Sequence, residues 1–292
     1  MKNLSFVKLI VSMTIFGTIG LFVRYIDAER GFIAFVRGIV GALFLLLLLA
    51  LMRKKISFDA IKRNLVLLIV SGAAIGVNWI LLFESYSYTT IATSTLCYYM
   101  APVFVIIASP IFLGEKITLK KSICVGVALV GMLLVSGVLE GGGSGDFGMV
   151  GVLLALGAAL FYATVTVLNK RMRDIEAYDM TIVQLVVAGL TVLPYTLIAE
   201  ENDLAALGLP AILMLLVVGV VHTGLCYAFY FSSVKDLEAQ TVAIFSYLDP
   251  IVAVVLSLFI GEEMSLLMGV GAVLVITSLL VSEIEFGKLR RK

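Results

Sequence analysis

Apolar runs of about twenty residues recur along the whole chain, separated by short polar or charged segments. A helix needs roughly 20 such residues to cross a hydrocarbon core of about 30 Å. The pattern predicts helices at about 4–25, 32–52, 64–86, 90–112, 120–139, 148–168, 179–199, 209–231, 240–260 and 265–284. Two runs exceed one span and are divided by local signals. The uncharged stretch 85–114 opens with Ser85-Tyr86-Ser87-Tyr88-Thr89-Thr90, read as a tight interfacial turn before the fourth helix. The stretch 204–234 opens with Gly208-Leu209-Pro210, a helix-start signal. The expected fold is therefore all-α and membrane-integral, with ten transmembrane helices.

Charge gives these helices a direction. Lys and Arg concentrate in cytoplasmic loops. With the N-terminus inside, the inner segments hold Lys2, Lys8, Arg53, Lys54, Lys55, Lys62, Arg63, Lys116, Lys120, Lys121, Lys170, Arg171, Arg173, Lys235 and the 288–292 cluster. Only Arg24, Arg30 and Arg37 remain outside, and the other outward loops are acidic or neutral: Glu140 to Asp146, Glu200 to Asp203, Glu262 and Glu263. Eighteen basic residues against three alternate through every loop, and deleting any one helix would invert all later loops. The chain is thus expected to be a multi-pass plasma-membrane protein with N- and C-termini cytoplasmic. Met1 to Tyr25 resembles a signal peptide, but no small-x-small site closes it, so it is read as a retained first helix.

Composition agrees. Apolar residues make up 61% of the chain and charged residues 14%, where soluble domains are about half apolar and a quarter charged. Cys97, Cys124 and Cys226 all lie in apolar runs without metal spacing and read as small core residues. With one histidine there is no multi-His metal cluster, and no metal or other cofactor is expected. No nucleotide-binding Gly-x4-Gly-Lys loop is present, and nothing suggests nucleic-acid binding.

The chain also repeats itself. Pro102 to Lys116 and Pro250 to Glu263 share a mid-helix proline, an apolar run and a closing Phe-x-Gly-Glu, 147 or 148 residues apart. Gly72 and Gly219 match at the same offset. Each half holds five helices, an odd number, so the second enters the membrane in the opposite sense. The expected organisation is a first repeat at 1–139, a second, inverted repeat at 148–284, a glycine-rich linker at 141–148, and a basic cytoplasmic tail at 285–292. Inverted repeats place a site at the midplane and allow alternating access.

Ten helices, two copies of Pro...Phe-x-Gly-Glu and a basic residue early in helix two (Arg37) resemble the EamA family of the drug/metabolite transporter superfamily. His222-Thr223-Gly224-Leu225-Cys226-Tyr227 and Ser246-Tyr247-Leu248-Asp249-Pro250 also look like one branch of it. The resemblance covers about residues 5–284 and implies secondary active transport, often efflux, of amino acids, related metabolites or drugs. Gln184 stands where Arg37 would repeat, so the halves need not bind ligand alike.

Ionisable groups at membrane depth are costly and normally face protein or water. Asp249, beside Pro250 near the middle of helix nine, reads as a proton carrier or cation partner, or else as a fixed hydrogen bond at a kink. His222 shares a face with Cys226, Phe229 and Ser233 and is a candidate for proton exchange or a packing residue. Glu84 and Arg37 lie at similar depth and are expected to pair, structurally or around a charged substrate. Asn78, with Ser71 and Ser85, forms a polar stripe on helix three. Trp79, Tyr98, Tyr99 and Tyr247 could form an aromatic wall suited to an amine, amino acid or aromatic ligand, whereas Tyr86 and Tyr88 read as an interfacial belt. Pro102 and Pro250 are structural. Glu115 and Glu262 read as boundary residues touching neighbouring helix termini.

The expected function is transport of a small organic metabolite, proton-linked and outward, with the lipid bilayer, a small-molecule substrate and protons as partners. The alternatives are an uncoupled facilitator or lipid-carrier translocator and, with one histidine and scattered acids as a thin kit, a membrane-embedded enzyme. Oligomeric state stays open, a homo-oligomer included.

Overall fold

The computed structural model describes residues 2–23, 25–89, 91–135, 138–140, 148–200, 207–259 and 265–283. Arg24, most of the glycine-rich linker, residues 201–203, Gly261, Glu262, Glu263 and the basic tail lie outside the described residues.

The regular structure among the described residues is helical: α1 (Lys2–Val23), α2 (Arg30–Leu51), α3 (Phe58–Tyr88), α4 (Ile91–Tyr98), α5 (Ala101–Leu113), α6 (Leu119–Val135), α7 (Met149–Arg171) and α8 (Ala177–Ala199). There follow α9 (Leu209–Val217), a π-helical stretch (Val218–Leu225), α10 (Cys226–Asp236), α11 (Ala239–Phe245), α12 (Leu248–Phe259) and α13 (Leu266–Glu283). Among the described residues seven stretches are long and apolar enough to cross a membrane, with α3 and Leu209–Asp236 the longest. Helix three starts earlier than its apolar run suggests because Ser57 caps it, accepting from the Ala60 N–H at 3.4 Å. It also continues to Tyr88, so Ser85 to Tyr88 are helical and not an interfacial turn.

Hydrogen bonds sort the chain into two ends. At one end Ser5 donates to Asp236 at 2.6 Å, the Ser57 N–H to Asp179 at 3.1 Å, and Asn64 to the Arg173 carbonyl at 2.9 Å. Lys121 pairs with Glu238, and Lys235 donates to the Ile175 carbonyl. This is the basic end. At the other, the Gly31 and Phe32 N–H groups donate to Glu200 at 2.7 and 2.9 Å, and Gly148 packs on Tyr88.

The helix packing is two-sided. α2 packs on α8, α5 on α11, and α6 on α13. α1 packs on α10 and α12, while α7 packs on α3 and α5. Small residues set these approaches: a Cβ on Gly76 would stand 2.7 Å from Thr191 Cβ and 2.8 Å from the Ala188 carbonyl oxygen. Van der Waals packing through small residues is how helices associate where lipid is as apolar as leucine. Outward faces are correspondingly apolar, with Ile198 86% and Leu119 77% exposed, which suits a hydrocarbon solvent and no aqueous one.

Both helices predicted at the repeated prolines are broken. The first divides between Tyr98 and Ala101, the second at Ser246 and Tyr247. Pro102 and Pro250 therefore sit in the first turn of α5 and of α12, where a missing N–H is tolerated, and not at mid-helix.

The close approach at Gly76 yields a matched test. Gly76→Ala forces overpacking against backbone and is expected to cost about 1–3 kcal/mol. Gly20→Ala, where an added Cβ meets nothing within 4 Å, leaves stability unchanged. Thermal denaturation in detergent reads both, and equal melting temperatures would refute the packing account.

Candidate solute cavity

Beside the first break lies a cavity of about 310 Å³. Its wall takes Phe16 and Ile19 from α1, Arg37 from α2, Ile75, Asn78, Trp79, Leu82, Phe83 and Tyr86 from α3, and Thr95, Tyr98 and Tyr99 from the first broken helix and its break. Tyr162, Val165 and Thr166 of α7, Tyr227, Tyr230 and Phe231 of α10, and Asp249 of α12 complete it. Residues at i, i+3, i+4 and i+7 share a helix face, which is why Ile75, Asn78, Trp79 and Leu82 arrive together from a single helix.

Two charged groups face this space, and neither is paired among the described residues. The Arg37 guanidinium lies 4.2 Å from the Trp79 ring centroid, an arrangement that holds its plane by cation–π attraction. Its Nε is buried without a hydrogen-bond partner. Asp249 sits one residue before Pro250, where the proline leaves the Ser246 carbonyl without its helical donor. Buried charges are normally paired, so this pair of separated, unpartnered charges is the chemical signature of the cavity.

Several of the other polar wall groups are hydrogen-bonded. Asn78 Nδ2 donates to the Ala158 carbonyl at 2.6 Å, and Trp79 Nε1 to the Tyr227 hydroxyl at 3.3 Å. Tyr162 and Tyr230 share a hydrogen bond between their hydroxyls. Tyr98 packs edge-on against Tyr162, their ring centroids 6.2 Å apart. At the mouth, Arg30 lies 5.0 Å from the Tyr86 ring centroid.

The structure brings together Arg37, Asn78, Trp79, Tyr98, Tyr99 and Asp249. It corrects three placements. Tyr247 is fully buried outside the wall; its hydroxyl donates at 3.0 Å to the Tyr99 carbonyl at the opposite break, and the two rings stack edge-on. Glu84 does not pair with Arg37, because it accepts the Tyr195 hydroxyl at 2.5 Å while Arg37 turns to Trp79. Tyr86 lines the cavity instead of joining a belt.

His222 lies in the π-helical stretch, 2% exposed and not among the cavity-lining residues. Its Nε2 is 2.8 Å from Thr18 Oγ1, and its ring is 4.8 Å from that of Phe22. Cys226 and Ser233 continue the same seam, donating to the Ser12 and Ser5 carbonyls. Gly224 meets Gly41 closely enough that an added Cβ would lie 2.9 Å from its carbonyl oxygen. Glu115 does touch a helix terminus: it accepts the Ala239 and Gln240 N–H groups at 2.9 and 3.4 Å, with Lys170 Nζ at 3.4 Å. Sequence reasoning missed Phe16, Tyr162, Tyr227 and Tyr230. The signal for Tyr227 and Tyr230 was an aromatic repeat at i+3 and i+4 on α10, indistinguishable in one dimension from lipid-facing packing.

Seven membrane-length helices among the described residues define a multi-pass membrane protein, and its relatives are transporters. The model of the EamA-like transporter family matches residues 4–137 and again 149–283, and the chain belongs to that family. Uncharacterized transporter YxxF of Bacillus subtilis (strain 168) is 28% identical over 94% of this chain and 88% of its own length. An uncharacterized transporter of Archaeoglobus fulgidus is 26% identical over 94% of each. A crystal structure of a protein 14% identical in sequence superimposes with a TM-score of 0.87 over 98% of both chains, a likeness of fold.

The bond between the two breaks is directly testable. Tyr247→Phe removes the donor to the Tyr99 carbonyl and is expected to lower stability by about 0.5–1.5 kcal/mol, read as a lower melting temperature. Tyr88→Phe, on a half-exposed ring, is expected to change nothing, and a Tyr247→Phe protein as stable as wild type would dismiss the bond.

Proposed function

We propose that this chain is a secondary transporter of ten membrane helices, built as inverted repeats at 1–139 and 148–284, that exports a small organic solute by alternating access. The observation that carries the reading is the cavity lined by Arg37 and Asp249, neither in an ion pair among the described residues. A guanidinium and a carboxylate, apart and each without a partner, fit a solute with an anionic and a cationic group, of which an amino acid is the simplest. Arg37 is the anchor for the carboxylate. Asp249 takes the ammonium or, in exchange for it, a proton. Trp79, Tyr98 and Tyr99 supply stacking faces.

Several observations support the inverted architecture. The family model fits each half separately. The helix breaks at 99–100 and 246–247 are 147 residues apart. Shifting residues by that offset turns the packing of α1 on α10 and α12 into that of α7 on α3 and α5. The gathering of Lys8, Lys54, Lys121, Arg173 and Lys235 at one end favours a cytoplasmic basic end in the plasma membrane, with both termini there. His222, beside the cavity on the α1 seam, is a candidate for pH response through Thr18 and not for direct solute contact.

The test pairs one ring with three charge patterns. L-tryptophan should raise the melting temperature of the detergent-solubilised protein more than tryptamine or indole-3-propionate, because bound ligand stabilises the folded state. Arg37→Gln should abolish the response to the two carboxylates, and Asp249→Asn that to the two amines. A wild-type order with tryptophan no better than either single-charge compound would sink the two-charge reading. In proteoliposomes, Asp249→Asn should stay folded yet lose flux driven by a pH gradient. Normal proton-driven flux in that variant removes Asp249 as carrier, and wild-type flux indifferent to the gradient favours a facilitator.

A further inference from the structure

Below the cavity, toward the basic end, lies a buried polar cluster that the site above does not use. Gln184 of α8 donates through Nε2 to Ser71 Oγ of α3 and, at 2.6 Å, to Asn169 Oδ1 of α7. All three side chains are fully buried. Gln184 Oε1 and Asn169 Nδ2 have no hydrogen-bond partner. Rotating both amides by half a turn does not cure this, since each amide still has one polar atom on the vacant side. A buried amide atom left unpaired costs about 1–3 kcal/mol, a cost hard to explain if the cluster serves packing alone.

Its register ties it to the cavity. Ser71 precedes the wall residues Ile75 and Asn78 by four and seven positions on α3, and Asn169 follows Val165 and Tyr162 by four and seven on α7. Both therefore share the wall's helix face, one turn or about 5.4 Å beyond it. Gln184 is also the residue 147 positions after Arg37, so under the inverted repeat it occupies the Arg37 position of the other half.

We propose that Ser71, Asn169 and Gln184 form a second solute-binding station, engaged when the cavity opens to the basic end. In alternating access between inverted halves, each half takes up the arrangement its counterpart had. The surroundings of Gln184 then open as those of Arg37 are open here. The station is neutral and carries both donors and acceptors, so it takes the hydrogen-bonding groups of a polar solute without holding a full charge. It rests on the transporter reading above, with Ile75 and Val165 as the apolar barrier between the two stations.

Cysteine accessibility tests it without knowledge of the solute. In a chain with Cys97, Cys124 and Cys226 replaced by serine, Asn169→Cys, Ser71→Cys and the cavity control Tyr98→Cys are each treated with a membrane-impermeant trimethylammonium methanethiosulfonate, in right-side-out and inside-out vesicles. Asn169→Cys and Ser71→Cys should react from the basic face alone, within about tenfold of the control rate. Ser71→Cys changes one atom and stands in if Asn169→Cys fails to fold. If the control reacts while both station cysteines react more than a hundredfold slower from either face, the cluster is fixed packing and the proposal is overturned. A control that reacts from neither face would instead overturn the transporter reading, and the station with it.

Discussion

Hydrocarbon offers no hydrogen-bond partner, so every backbone group exposed by a helix end or a helix break must be satisfied from within the protein. That constraint explains the contacts that join distant parts of this chain. Glu200, closing α8, accepts the first N–H groups of α2. Glu115, just past α5, does the same for α11 and adds Lys170. Tyr247 reaches across to the Tyr99 carbonyl at the opposite break. Each is locally a cap, yet each binds residues more than a hundred positions apart, so satisfying the backbone and assembling the bundle are one process.

The breaks are also what make a cavity possible. Continuous helices packed through Gly76, Gly41 and Gly224 approach until backbone meets backbone, and such an interior leaves little space. Two helices are interrupted at 99–100 and 246–247, and Tyr99 and Asp249 at and beside these interruptions line the cavity. The space is lined by tyrosine rings, two of which join their hydroxyls, and by two charges that have no ion-pair partner among the described residues, Arg37 lying against Trp79. Restart also places Asp249 in the first turn of a helix, where a carboxylate suits the helix dipole.

The two halves are alike in packing and unlike in chemistry. Arg37 meets Trp79, while Gln184, 147 residues later, meets Asn169 and reaches across to Ser71 of the first half. The second half alone carries a π-helical stretch among the described residues, opposite Val40 and Gly41 of α2. Within it the Thr223 hydroxyl donates to the Val218 carbonyl, five residues back, and His222 meets Thr18 of α1. Like helix packing in the two family-matched segments therefore goes with unlike side chains at corresponding positions.

Twenty-residue apolar runs and the doubled Pro...Phe-x-Gly-Glu determine class and kinship, because insertion into a membrane is governed by quantities that add up locally along the chain. Arg37, Asn78, Trp79 and Asp249 were legible as pathway candidates for the same reason: a polar group is conspicuous against an apolar run. Partnership was not legible. Equal depth suggested Glu84 for Arg37, but depth fixes only one coordinate, and rotation about the helix axis sent Glu84 to Tyr195 and Arg37 to Trp79. Only the packed bundle sets those rotations, and with them which tyrosines face a solute and which, like Tyr247, hold the frame.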